Sequence, residues 1–221
     1  MAGRTDMEYA FGILPYILSG AEVSLTVYVI TFIFSIPLGI ICAVAKLSKI
    51  APLRWIMNFY TWIMRGTPLM LQLFFVYYGL PLIPGGVKFT PMEAAGLTFV
   101  INYAAYFTEI FRGGICSIEQ GQYEAAKALG MSYAQTMRRI ILPQAIKNVL
   151  PPMGNEAINL IKDTALCYVI SMADIMKNAK VCVSRDFSIT GFVLAAFLYL
   201  AITFIIINIF RMIERRYMYY R

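Results

Sequence analysis

Histidine is missing from all 221 residues, which removes imidazole from every role as metal ligand, general base or proton relay. Charge is scarce as well: Lys, Arg, Asp and Glu make up 14% of the chain, against about 25% in an ordinary soluble domain. The four cysteines, Cys42, Cys116, Cys167 and Cys182, show no CxxC spacing and mostly fall in or near apolar segments. They read as small packing residues rather than disulfide partners or ligands. No GxxxxGK(S/T) loop is present to cradle phosphates, so ATP binding through such a loop is excluded. GxSxG, HExxH and paired-carboxylate hydrolase arrangements are also lacking, so no enzymatic chemistry, metal or cofactor is expected on this chain. Gly85-Gly86 reads as a turn and Gly113-Gly114 as the exit from an apolar segment, neither being a nucleotide fingerprint.

What fills the chain instead is hydrocarbon. Hydrophobic residues are 60% of it and aromatics 14%, too apolar for a domain in water. The net charge of +7 does not point to nucleic acid, because the basic residues cluster beside apolar runs as juxtamembrane charges do. A bilayer core of about 30 Å takes about 20 apolar residues per helix. Five segments qualify, about 23–45, 55–80, 92–111, 152–173 and 187–210, giving an all-α integral membrane fold in one domain over 1–221. The aromatic-rich stretch 8–18 is expected to be a separate interfacial helix lying along the bilayer surface. Asp6 and Glu8 ahead of the first span do not make the basic start of a cleavable signal peptide.

Orientation follows from the Lys and Arg outside the spans. Lys46, Lys49, Arg54, Lys127, Arg138, Arg139, Lys147, Arg211, Arg215, Arg216 and Arg221 fall on one side, and only Arg4, Lys88, Lys177, Lys180 and Arg185 on the other. The N-terminus is therefore expected outside, and the 119–147 region and the C-terminus in the cytoplasm.

Ionisable side chains inside spans are costly, so each should face a partner, the bundle interior or a water-filled path. In the fourth span Glu156, Asn159 and Asp163, with Asn155, Asn159 and Lys162, form two adjacent rows and hence one polar stripe. The stripe reads as a solute path, or as interhelical hydrogen bonding in a buried helix. Glu109 and Arg112, three apart in the third span, read either as substrate contact or as an internal pair closing a gate. In the second span Arg65-Gly66-Thr67-Pro68 interrupts the apolar pattern. Pro68 removes a backbone donor, so a kink is expected, and irregular backbone there offers amides and carbonyls to a solute.

Residues 124–145, EAAKALGMSYAQTMRRIILPQA, are polar and basic between apolar segments and read as two short helices hinged at Gly130. A water-facing helix pair slung between spans suits docking to something outside the bilayer. In Glu124, Ala125, Ala126, Gly130, Leu142 and Pro143 this stretch resembles the EAA loop of ABC importer permeases. Arg65-Gly66-Thr67-Pro68-Leu69 with Gln72-Leu73-Phe74 is similar to a second-span signature of the polar amino acid importers. Glu109 to Gly114 leading into Gly121-Gln122, Pro151 to Asn155, and Lys162-Asp163-Thr164 also match, although Ala165 stands where a serine is frequent.

That resemblance implies the type I ABC importer permease fold, with five spans and a cytoplasmic coupling helix pair, in a bacterial inner membrane. It implies separate ATPase subunits carrying ATP and Mg, an extracytoplasmic solute-binding protein, and a second permease chain, identical or homologous. Glu124, Ala125, Ala126 and Gly130 would couple to the ATPase. Asp163 and Glu109 would meet a substrate ammonium, and Lys162 or the amides at Gly66 and Thr67 its carboxylate. Gln72, Thr67 and Asn159 would line the path, and Arg65 and Arg112 would form gate or structural ion pairs. The competing readings are a non-transporting sensor subunit, or an importer of an opine or sulfur-containing amino acid.

Overall fold

The computed structural model describes residues 6–217, and the described residues form helices and turns without a strand. Arg4 and Arg221, used above in the charge asymmetry, lie outside them. A single 42-residue helix, α1, runs Asp6–Leu47. At 1.5 Å per residue it is about 63 Å long, roughly twice the hydrocarbon thickness. The expected separate helix over 8–18 is thus corrected: it is the first part of α1. Pro15 costs the helix one hydrogen bond without ending it. Gly20, which also resembles a breaker, serves close packing, since a Cβ there would sit 2.4 Å from the Asp174 carbonyl carbon.

The rest follows in order: α2 (Ala51–Gly66), α3 (Leu69–Phe74), α4 (Pro91–Cys116), α5 (Gln120–Ala128), α6 (Tyr133–Thr136), α7 (Leu142–Asp163), α8 (Ile175–Asp186) and α9 (Thr190–Tyr217). A π-helical turn, Phe75–Gly79, and a 3-10 turn, Leu80–Leu82, extend α3. The expected spans fall on α1, on α2 with α3, on α4, on α7 with its 3-10 extension Thr164–Ile170, and on α9. By length and composition Met7–Leu47 and Thr190–Tyr217 are each long and apolar enough to cross a membrane. On α9 Phe197, Leu200 and Phe204 are 64 to 68% exposed, a bare apolar face that suits lipid rather than water.

The chain divides into two compact units, Met1–Ile33 with Thr67–Val100 and Ile158–Ile206, and Phe34–Gly66 with Ile101–Ala157 and Ile207–Arg221. In the first, Ile13 and Ile17 of α1 pack with Ile175, Ala179 and Cys182 of α8 and Ala195 of α9. The Tyr9 hydroxyl donates to Asp186 at 2.7 Å, and Asn178 Nδ2 donates to the Tyr16 carbonyl at 2.9 Å. Asp174 caps α8, accepting from the backbone N–H groups of Met176 and Lys177. Its carboxyl is held up at about 6 by burial.

In the second unit glycines again allow close approach. A Cβ on Gly39 of α1 would lie 2.7 Å from Phe107 Cβ, and one on Gly114 of α4 would lie 2.2 Å from Val149. Small residues at helix contacts are what lipid-embedded bundles use, because packing and hydrogen bonds hold helices together where water cannot drive them. Two such hydrogen bonds join α2 to α4: Tyr60 Oη to the Ile101 carbonyl at 2.6 Å and Asn102 Nδ2 to the Met64 carbonyl at 2.9 Å. Met64 is four residues before Pro68, whose missing N–H is the donor an unbroken helix would offer it. Asn102 therefore supplies from α4 a bond that the proline withholds.

Candidate functional site

The break in the second span is real and closed from within. Helix α2 stops at Gly66, Pro68 adopts extended backbone (φ −61°, ψ 133°), and α3 begins at Leu69. The Pro68 carbonyl accepts from the N–H groups of Leu71 and Gln72. Gln72 Nε2 donates back to Thr67, at 2.8 Å to the hydroxyl and 3.2 Å to the carbonyl. Gly66 and Thr67 are exposed, and a side chain on Gly66 would meet nothing within 4 Å.

Three helices of the second unit meet at Glu109. One carboxylate oxygen accepts from Arg112, Nε and Nη2 both at 2.9 Å, and the other from Lys46 at the end of α1. Lys46 Nζ also donates to Thr61 of α2 at 2.7 Å. Side-chain exposures of 12% for Lys46, 16% for Glu109 and 38% for Arg112 place the pair with Lys46 deeper than that with Arg112. Both Glu109 oxygens are thus engaged by cations of this chain. The Glu109–Arg112 pairing is one of the two readings that the i, i+3 spacing left open. Lys46 was missed, being 63 residues distant and read as the basic end of the first span.

An open concavity of about 410 Å³ adjoins this cluster, lined among others by Arg65, Tyr106, Glu109, Asn148 and Glu156. The Arg65 guanidinium lies 5.3 Å over the Tyr106 ring, an arrangement that holds the charge against an apolar wall. One guanidinium, Arg65, and two carboxylates, Glu156 and the already paired Glu109, thus stand around one opening. Asn159, Lys162 and Asp163 do not line it. They belong to the other unit, on the last turns of α7. Along that helix Asn155, Asn159 and Lys162 are all exposed while Glu156 and Asp163 are half-buried, so the polar stripe is present with one row bare. Among the described residues no group of three His, Cys, Asp or Glu side chains is placed to hold a metal.

The polar connection after α4 is a capped helix pair. Gly130 takes a left-handed φ of +72° at the end of α5. Met131 N–H donates to the Ala126 carbonyl and Gly130 N–H to that of Lys127, both at 3.0 Å, a Schellman closure that a glycine makes without strain. Ser132 then caps α6 in a reciprocal box with Gln135. The bend at Gly130 is as the sequence suggests, but the second helix does not stop. A π-helical turn, Met137–Ile141, carries it into α7. Pro143 withholds the donor that the Arg139 carbonyl would otherwise take, and the helix widens there instead of ending. Glu124, Ala125 and Gly130 are exposed, whereas Ala126 is fully buried. At the tip Leu129 is 78% and Tyr133 76% exposed, apolar surface bare in a polar loop.

Residues 35–219 match the family described as binding-protein-dependent transport system inner membrane component. The chain is 39% identical over 227 residues to the probable amino-acid ABC transporter permease protein YckA of Bacillus subtilis strain 168, covering all of both chains. It is 38% identical over 204 residues to the arginine transport system permease protein ArtQ of the same organism, covering 92% of this chain and 93% of that one. Among solved structures it superposes on a chain of an amino acid ABC transporter with histidines at a TM-score of 0.88 and 33% identity. That match covers 97% of this chain and 100% of the other.

Proposed function

The chain belongs to the family of inner membrane components of binding-protein-dependent transport systems, and on that premise we propose how it carries and couples its solute. It is the permease subunit of an ABC importer for polar amino acids, a transport component and not an enzyme, working with a separate ATPase and a solute-binding protein. The observation that carries this reading is a match over the full length of this chain and of its relative.

The amino acid meets the protein at the concavity of Arg65, Glu109 and Glu156. The guanidinium suits its carboxylate and Glu156 its ammonium, Glu109 joining when the ammonium replaces one of its two cations. Asp163, Lys162 and Asn159 on the polar stripe of α7, and Thr67, Gly66 and Gln72 at the break in the second span, serve as separate polar contacts for the substrate. The presence of arginine among the named relatives' solutes supports a polar or basic substrate. A second permease copy, identical or homologous, covers the bare row Asn155, Asn159 and Lys162. The N-terminus lies outside, and the helix pair and C-terminus face the cytoplasm.

Coupling runs through the pair α5 and α6. Its exposed Leu129 and Tyr133 enter a groove of the ATPase, Glu124 meets a basic residue there, and the caps at Gly130 and Ser132 keep the pair stiff enough to transmit a push. ATP and Mg stay on the partner. Reconstitution with the ATPase and binding protein in liposomes, followed by an amino acid screen for stimulated ATP hydrolysis, tests both parts. Glu124→Arg should abolish stimulation while the chain stays folded. No stimulation by any amino acid from an intact complex would instead favour a different solute or a sensor.

A further inference from the structure

Three basic side chains of the second unit converge on a second concavity with no acid among its walls. Lys46, Arg54 and Arg112 line about 450 Å³ together with Ser48 and Asn58. Glu109, the carboxylate that pairs with Lys46 and Arg112, lines the other concavity and not this one. Arg54 forms no ion pair with any described residue. The Ser48 hydroxyl is buried and without a hydrogen-bond partner among the described residues. Positive charge and unused donors thus remain in excess after Glu109 is counted, and an anion rich in oxygen is what satisfies them.

The adjoining surface says which kind of anion. A groove of about 530 Å³ shares Arg54 and Asn58 with the basic cup, and its other walls are Ala51, Pro52, Trp55 and Ile56. Trp55 is 66% and Ile56 52% exposed. The cup lies where the long apolar α1 ends in Lys46, and a tryptophan beside it is typical of the depth at which headgroups meet acyl chains. A small soluble anion fills the cup and leaves the groove bare. An amphiphile fills both.

We propose that Lys46, Arg54 and Arg112, with Ser48 and Asn58, bind the phosphodiester of an anionic phospholipid whose acyl chain lies along Trp55 and Ile56. The free guanidinium of Arg54 takes two phosphate oxygens, a planar fork that a lysine does not reproduce. Lys46 and Arg112 add their field while remaining bound to Glu109. The headgroup therefore rests on the joint between α1 and α4, independently of which solute the protein carries.

Native mass spectrometry of the full chain in detergent, titrated with phosphatidylglycerol or phosphatidylcholine, tests this. The expected result is selective retention of phosphatidylglycerol, weakened about fivefold by Arg54→Gln, the usual effect of one basic residue at an anionic surface. Trp55→Ala should weaken retention without removing the preference for the anionic lipid. Arg54→Lys should recover part of it, which separates loss of charge from loss of fold. Equal retention of both lipids, or no change in Arg54→Gln, overturns the proposal. So does displacement by equimolar inorganic phosphate, which would make the cup a site for free anions. Intact lipid binding with weakened capture of the ATPase in Arg54→Gln would make it a protein contact and overturn the proposal equally.

Discussion

Replacing Asn102 by Leu should destabilise the chain by about 1–2 kcal/mol, and most of that penalty should vanish when Pro68 is Ala. Leucine has the same branched heavy-atom skeleton but bulkier methyl groups, so no cavity opens. Any overpacking is common to both backgrounds and cancels in the cycle, leaving the part that depends on the 2.9 Å bond to the Met64 carbonyl. Interhelical hydrogen bonds in membranes average about 0.6 kcal/mol and reach about 1.7. A carbonyl that loses its donor adds desolvation, which takes the sum to the upper part of that range. With alanine at 68 the chain regains an N–H four residues after Met64, and the α4 amide becomes redundant. The coupling in the double-mutant cycle should then be about 1 kcal/mol. The readout is SDS-driven unfolding of the full chain in mixed micelles, followed by the fluorescence of Trp55 and Trp62, both on α2. Equal penalties in the two backgrounds, or none in either, would refute the reasoning that Asn102 stands in for the proline's missing donor.

The remaining expectations use the same titration. Glu109→Gln leaves Lys46 and Arg112 without their shared carboxylate and should cost about 3 kcal/mol. Arg112→Gln, at a side chain 38% exposed, should cost less, under about 1 kcal/mol; equal losses would contradict the depth assigned to the two pairs. Gly20→Ala drives a methyl to 2.4 Å from the Asp174 backbone and should cost about 1–3 kcal/mol. Gly96→Ala, whose Cβ meets nothing nearer than 3.8 Å, should be neutral or slightly stabilising. Burial holds the Asp174 carboxyl at about 6, above its ordinary 3.8. The folded chain therefore takes up this proton before the unfolded one does, so the residue's contribution is full below about pH 4 and falls as pH rises through about 6. Asp174→Asn keeps an oxygen to cap α8 and should remove that decline; identical pH profiles for the two proteins would show that another group sets it.

Patterns local in the chain were readable from the residues alone. The polar rows of α7, the interruption at Pro68 and the bend at Gly130 all depend on neighbours within a turn or two, and the expected spans follow hydrocarbon composition. What escaped depends on partners far along the chain. Lys46 looks like any basic residue ending a span until Glu109 is found beside it. The one signal that could have found it is that a single arginine at i+3 leaves half a carboxylate to satisfy. Asn102 as donor to Met64 required knowing that α2 and α4 are adjacent. The continuity of α1 through Pro15 and Gly20 was missed because the short, aromatic-rich stretch 8–18 was read apart from the span that follows it. Nothing in the residues signals the π-helical turn that carries α6 into α7. Packing and the widened turn accommodate the prolines and the glycine in these stretches. Residues 175–186, read as an outer connection with scattered lysines, form α8 because Asp174 caps them and Ile175, Ala179 and Cys182 give them an apolar face.

The bare row of Asn155, Asn159 and Lys162 on α7 bears on how cells must handle this polypeptide. On the proposal that a second permease copy covers this row, a newly inserted chain without that copy shows amides and an ammonium to hydrocarbon, a signature that membrane quality control can read as an orphan. Abundance would then be set by the scarcer companion rather than by its own synthesis rate. Overproduction of this chain alone should yield rapid proteolysis, and co-production should lengthen its half-life without any change in transcription.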